Sequence, residues 1–373
     1  MQPQINKFDV LLMAPATDLH AVAVRWVLEY SGVSVMVSSA FGDGGLGRLS
    51  LECGTDQHWC YGRGSRLGEF NSIWYRRPKR WPDLSSAREC DRECMKTEWR
   101  LAHENLREIS AMMCEALWIN SPAAAVRADN KLLQLDVARR CALPIPSTLV
   151  SNETQEIKAF LELHHDVIHK TFIPHVWKSH ESGEMHASWA SRLRPEDLEH
   201  DESIALCPGI FQAYVNKQSD IRVVVIGDKM FPFEIRYADG TIPVDWRKDS
   251  SFTELDIQPI KLPEKYVKKL RLMMNRLDLV YGSIDLVLSR DGDLVFLEVN
   301  QAGEFLFAEK FCPEIPLLRS MASMLIHGGV DYSMEQTADL GLSDFIASDT
   351  HQQLLEAAYE SPSEQSIRRA YVE

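Results

Sequence analysis

Asp285, Glu298 and Asn300 are the residues of this chain whose types and spacing most clearly ask for chemistry. They lie in the run GSIDLVLSRDGDLVFLEVNQAGEF, where two apolar strands flank Asp291-Gly292, a hairpin signal. Residues two apart on a strand share a face, so Glu298 and Asn300 project together while Leu297 and Val299 turn the other way into a core. Acids and an amide on an otherwise apolar hairpin are costly unless something positive binds them. Hard oxygen donors suit Mg2+, which fills its other positions with water and phosphate oxygens. A solvated hairpin face with incidental acids gives the same pattern, and the hairpin alone does not separate the two.

Basic residues elsewhere in the chain bear on that choice. Asn130-Lys131 opens KLLQLDVARRCALPIPSTLV, and Lys170 sits in the apolar strand VIHKTF, where an ammonium needs an anion. Downstream, IFQAYVNKQSDIRVVVIGDKMFPFEIRY places Lys217, Asp220, Arg222 and Arg236 around a first hairpin at Gly227-Asp228, and Asp245-Trp246-Arg247 follows. Any one of these is ordinarily a surface charge. Converging on metal-binding acids, they form a place to hold a nucleoside triphosphate.

These residues need a scaffold, and the apolar pattern supplies α/β and α+β parts. Phe8 to Ala14 reads as a buried strand, His20 to Tyr30 as a helix and Val33 to Ser39 as a strand, together a β-α-β opening. Lys96 to Leu117 has the spacing of a long charged helix, and a second helix is expected from Ala123 to Cys141. Strands are then expected at 167–172, 187–193, 210–215, 221–226 and 229–237, and a basic amphipathic helix from Pro263 to Leu277. Gly42 to Gly47 satisfies G-x-G-x-x-G, but no helical periodicity follows, so it reads as a plain loop. Cys53, His58 and Cys60, Cys90 and Cys94, and His164-His165 lack the paired spacings of a zinc site.

Composition narrows the classes. The 373 residues carry 40 Lys and Arg against 54 Asp and Glu, a formal charge of -14 that argues against a non-specific nucleic-acid binder. From Asp331 onward nine acids face two bases, so half of that charge lies in the tail. The tail is expected to be a solvated extension, although Leu340, Leu342, Phe345, Ile346, Leu354 and Leu355 give it enough apolar surface to dock. No stretch approaches the ~20 apolar residues of a membrane span, and eight scattered cysteines fit free thiols in a reducing cytoplasm.

The order NK…K…FQAYVNKQSDIRVVVIGDK…DWR…IDLV…FLEVN resembles the ATP-grasp fold over about Asn120 to Phe311. More narrowly, Trp74 to Pro78, Trp118-Ile119-Asn120, Gln134-Leu135 and Asp245-Trp246-Arg247 resemble the graspetide synthetases, which cyclise microviridin-type ribosomal peptides. The resemblance implies an N-terminal pre-ATP-grasp α/β domain at 1–120, ATP-grasp subdomains at 121–207 and 208–330, and an acidic extension at 331–373. It implies ATP and Mg2+ as cofactors, with Lys131 and Lys170 on the phosphates. Gln212, Ala213, Tyr214 and Val215 become the hinge beside the adenine, with Asp220 and Arg236 near the nucleotide. Asp285, Glu298 and Asn300 then hold magnesium, and Lys217, Arg222, Asp245 and Arg247 serve the phosphoryl transfer or the substrate carboxylate. The implied partner is a precursor peptide with a leader, and the implied assembly a homodimer. Two departures stand out: only Gly183 marks a loop over the phosphates, and Gln301-Ala302 replaces the Pro and Ser that often follow the last metal ligand. A ligase acting on free amino acids or on a protein tail, and a regulatory ATP-binding protein, remain the alternatives.

Overall fold

The computed structural model describes residues 9–38, 51–53, 59–61, 65–66, 70–78, 84–112, 115–172, 176–178, 183–199, 201–237, 239–246 and 255–359. The glycine run 42–47, His58 and Arg247 lie outside them.

Val10–Met13 is buried along its whole length because it is covered on both faces, the condition under which a parallel strand loses polar alternation. It pairs in parallel with Val35–Ser38 on one side and Ser72–Tyr75 on the other, and Leu117–Ile119 completes a four-stranded sheet. Val10 and Leu12 pack on helix Leu19–Tyr30, while Leu11 and Met13 face Ile73, Ile109 and Trp118. Asp18 caps that helix, accepting the Ala21 N–H at 2.9 Å.

Two expected helices are redrawn. The charged helix runs from Glu89 to Asn105, with none of its residues buried, and Leu117 belongs to a strand. Pairing of the apolar Leu117–Ile119 with Ser72–Trp74 outweighs the helical spacing there. The second helix is two, Pro122–Ala128 and Lys131–Arg140, because the Asn130 side chain caps a fresh N-terminus by accepting the Leu133 N–H.

Besides two small antiparallel pieces, Val176–Lys178 with Met185–Ala187 and Leu51–Cys53 with Trp59–Tyr61 and Ser65–Arg66, two larger antiparallel sheets follow. The smaller has the order Ser191–Arg192, Val167–Lys170, Gly209–Ala213, Thr148–Ser151. The larger has the order Leu255–Pro259, Lys229–Tyr237, Lys217–Ile226, Tyr281–Ser289, Leu294–Asn300, and both hairpins form where the Gly-Asp and Asp-Gly pairs mark them. Ile221, Val223, Ile284 and Phe296 pack one face of the larger sheet on helices Lys131–Arg140 and Glu264–Leu277. Val224, Ile226, Phe233 and Ile235 on the other face share a core with helix Leu317–His327 and the N-terminal sheet.

The tail docks. Tyr332, Leu342 and Phe345 are at most 5% exposed and join that shared core, with Phe345 edge-on to Trp26 at 5.7 Å. Glu309 fastens it: its carboxylate accepts the Leu318 N–H at 2.7 Å and the Leu342 N–H at 2.8 Å, although burial raises its pKa. The apolar residues therefore outweigh the acidity that suggested a solvated extension. Truncation after Val330 is expected to cost on the order of 5 kcal/mol, since several large side chains leave the core together. Urea denaturation checks this, and a truncated chain as stable as the parent would return the segment to a solubility role.

Candidate active site

The acids gather because of one extra residue. Asp285 lies opposite Glu298 and Ser283 opposite Asn300, but the next pairs are Leu286 with Phe296 and Val287 with Val295, which leaves Leu297 as a β-bulge. A strict period of two puts Phe296 and Glu298 on one face. The bulge separates them, so Phe296 is fully buried against the helices while Glu298 turns to the opposite face beside Asp285. Val299 enters the core as expected; Leu297 does not, and is half-buried as the bulged residue.

Each acid meets a cation. Arg222, directly across from Asp285, grips it with two bonds, Nε to Oδ1 at 2.7 Å and Nη2 to Oδ2 at 3.0 Å. The same guanidinium lies over the rings of Trp246 and Phe307, at 5.1 and 5.4 Å, which fixes its plane. Lys131, the first residue of its helix, places Nζ 2.5 Å from Glu298 Oε2. The Gln134 amide sews that helix to the metal-candidate strand, donating to Val299 O and accepting the Val299 N–H, both at 2.9 Å.

Asp220 shares the face of Arg222, two residues on. The buried Lys217 ammonium bonds both its oxygens, at 2.8 and 2.6 Å. Burial nevertheless pushes the Asp220 carboxyl up to about 6; Lys217 opposes the shift, and the charges of Asp285 and buried Asp245 add to it. Lys217, Asp220, Arg222, Asp245, Asp285, Glu298 and Lys131 thus belong to one electrostatic neighbourhood. Arg236 does not. Its neighbour Ile235 faces Asp220, so Arg236 points from the opposite side of the sheet, where it is exposed and paired with Glu234 at 2.8 Å.

In the smaller sheet, Lys170 stands opposite Ile210, and Gln212 opposite Ile168, on the face away from the core of Val167 and Phe211. Gln212 donates to Thr148 Oγ1 at 2.9 Å. The Ala213 N–H goes to Ser147 O and the Tyr214 N–H to Asp166 O, and the Arg192 guanidinium lies 4.0 Å above the Tyr214 ring. Two amides of the expected hinge are therefore committed to the fold, and Val215 leads on to the strand that carries Lys217 and Arg222. The segment that leads into the smaller sheet is tied to the larger one where the Phe296 N–H donates to Pro144 O at 2.8 Å.

Sequence reasoning assigned no task to Asn120, which the fold buries. Its side chain donates to Tyr281 O and Gln301 O and accepts the Val280 and Tyr281 N–H groups, all within 2.9 Å. The available signal was an amide at the end of an apolar strand, just before a Ser-Pro helix start.

Among the described residues no three His, Cys, Asp or Glu side chains converge as a metal cage. Asp285 and Glu298 face each other on adjacent strands, with Asn300 two residues beyond. Two carboxylates and an amide fit Mg2+, which is held by few protein ligands and completed by phosphate and water.

No family model and no curated protein matches the chain. Solved structures do. A RiPP-associated ATP-grasp ligase from Chryseobacterium gregarium, in complex with ADP and a leader and core peptide, is 23% identical with a TM-score of 0.73, over 85% of this chain and 96% of that one. Macrocyclase MdnC from Microcystis aeruginosa MRC, bound with precursor peptide MdnA, is 24% identical with a TM-score of 0.71, over 85% and 99%. Macrocyclase MdnB from the same organism is 26% identical with a TM-score of 0.67, over 85% and 98%. With these sheets, this order and these likenesses, the chain has the fold of the ATP-grasp ligases.

Proposed function

We propose that this protein is an ATP-dependent ligase that activates Asp or Glu side chains of a ribosomal precursor peptide and closes lactone or lactam rings. The observation that carries the reading is the double charge pair, Arg222 on Asp285 and Lys131 on Glu298, set side by side on one sheet face. Such a floor can exchange its internal partners for magnesium and phosphate without leaving a charge buried alone. Asp285, Glu298 and Asn300 would hold Mg2+, which offsets the charge developing on the phosphoryl oxygens.

The chain's own residues do the rest. Lys131 and Lys170 hold the triphosphate, and Gln212 to Val215 line the adenine. Arg222, kept planar by Trp246 and Phe307, orients the substrate carboxylate or the phosphoryl group in flight. A carboxylate oxygen of the peptide attacks the γ-phosphorus and ADP leaves. A Ser or Thr hydroxyl, or a Lys amine, of the same peptide then attacks the acyl carbon, losing its proton as phosphate departs. Closure of the smaller sheet over the larger excludes water from the acyl phosphate.

The ring-closing partner is read as a leader-bearing precursor peptide because one solved neighbour holds a leader and core peptide and another a precursor peptide. The enzyme is read as a cytoplasmic homodimer; no helix among the described residues is long and apolar enough to cross a membrane. Incubation with ATP, Mg2+ and a candidate precursor is expected to lower the peptide mass by about 18 Da per ring, one water per condensation. ADP should appear in equal amount. A mass increase by an added amino acid would instead favour a ligase of free amino acids or of protein tails.

A further inference from the structure

The turn that follows Asn300 is held from outside by the N-terminal part of the chain. Asn300 itself is engaged by this turn: its Oδ1 accepts the Ala302 N–H at 3.1 Å, and its carbonyl accepts the Gly303 N–H at 3.2 Å. Whatever moves the turn therefore moves the amide.

Every carbonyl of the turn has a partner elsewhere. Gln301 O takes Asn120 Nδ2, and Arg76 Nη1 reaches Ala302 O at 3.2 Å and Gly303 O at 3.3 Å. The Tyr281 hydroxyl donates to Gly303 O at 2.6 Å. His20 Nε2 accepts the Phe305 and Leu306 N–H groups, at 2.9 and 3.3 Å. Burial and the nearby Arg76 charge hold the His20 pKa well below its usual value, so the neutral ring accepts at Nε2. Arg76 is 1% exposed, and its Nε is clasped by Asp18 at 2.8 Å, the residue that caps the first helix. Burial alone would raise the Asp18 pKa, yet Arg76 and His20 bring it to about 2. Gly303 presses so closely on Ser283 that a Cβ there would sit 2.4 Å from its Oγ, which leaves the turn no room to drift.

We propose that Arg76, locked by Asp18 and seconded by Tyr281, is a positioning residue that sets the Asn300 amide for metal through the Gln301–Gly303 turn. The inference rests on the reading of Asn300 as a magnesium ligand. A merely structural arginine would stabilise the domain junction without regard to metal; this one acts on metal affinity. Groups that hold ligands from behind typically govern metal affinity by about 10–100-fold.

The test uses the full chain and calorimetric binding of ADP, with Mg2+ present and with Mg2+ chelated. Arg76→Lys keeps the charge on Asp18 but loses the reach to two carbonyls. It is expected to weaken ADP binding about tenfold with Mg2+ and to leave metal-free binding within about twofold. Tyr281→Phe, which removes one hydroxyl and keeps the ring, should move the same ratio in the same direction by a smaller factor, since Arg76 still reaches Gly303 O. Raising Mg2+ should restore Arg76→Lys. Equal weakening with and without Mg2+, or parent-like binding in both variants at parent-like melting temperature, would overturn the proposal. Asn300→Ala separates the two levels: if it too leaves the Mg2+ dependence untouched, the metal reading fails rather than the clamp alone.

Discussion

Glu298→Gln is expected to lower ATP turnover by at least about a hundredfold, in the range seen when one preorganised electrostatic contact is removed from an active site. The substitution is isosteric, so it opens no cavity, and it leaves the bulge at Leu297 and the strand register in place. What it removes is the negative charge that Lys131 meets at 2.5 Å and that a divalent cation would meet in turn. Lys131 keeps 21% of its side-chain surface in solvent, so the orphaned ammonium is rehydrated at little cost. Stability should therefore change far less than turnover. A coupled ADP-release assay beside a melting curve makes the comparison. A variant that melts early but turns over ATP like the parent would make the pair a structural one and sink the magnesium assignment.

Asn120→Ala should produce a large loss of stability from a single uncharged change at a buried position. The buried amide satisfies two N–H groups and two carbonyls of the chain at 280–281 and 301, and alanine abandons all four. Each buried group left unpaired costs about 1–3 kcal/mol, so a loss of roughly 4 kcal/mol or more is expected in urea denaturation. Asn120→Asp gives a sharper control. An ionised carboxylate keeps the two acceptor contacts but turns its other oxygen toward two carbonyls. That site favours the protonated acid, so the folded pKa rises above the unfolded value. The Asp variant should accordingly gain stability as pH falls toward the unfolded carboxylate range, and be weakest above its folded pKa. A loss below about 1 kcal/mol for alanine would show that the junction is held by packing alone.

The parts legible in the sequence were those written locally. Asp291-Gly292 and Gly227-Asp228 marked both hairpins, and acids on an apolar strand marked where Asp285 and Glu298 gather with their cations, because charge in such a strand calls for a partner. Errors arose where one residue decides a face. Nothing beside Leu297 announces a bulge, yet it decouples Glu298 from Phe296. Arg236 looked like a nucleotide contact until the register put its neighbour, and not it, on the site side. The break at Asn130 was readable as a cap, but the helical periodicity on both sides of it suggested one helix. Arg76 and Asn120 stood in the motifs that carry the resemblance, but their contacts could not be read, because their partners lie 226 and 161 residues away, beyond any pattern a window of sequence can show.

The docked tail sets the order of events on the ribosome. Ser31, at the end of the first helix, receives the Ala338 N–H across 307 residues, and Trp26 waits for Phe345. At the roughly 5–20 residues per second of translation, that interval lasts about 15–60 s. Throughout it, the apolar side of the first helix is without its final cover, and for most of it the N-terminal sheet, complete at Ile119, has already been made. The nascent chain is thus a candidate client for a chaperone that shields exposed helices during synthesis. Joining the two ends by circular permutation, with new termini in a surface loop, would bring the first helix and its cover out of the tunnel together.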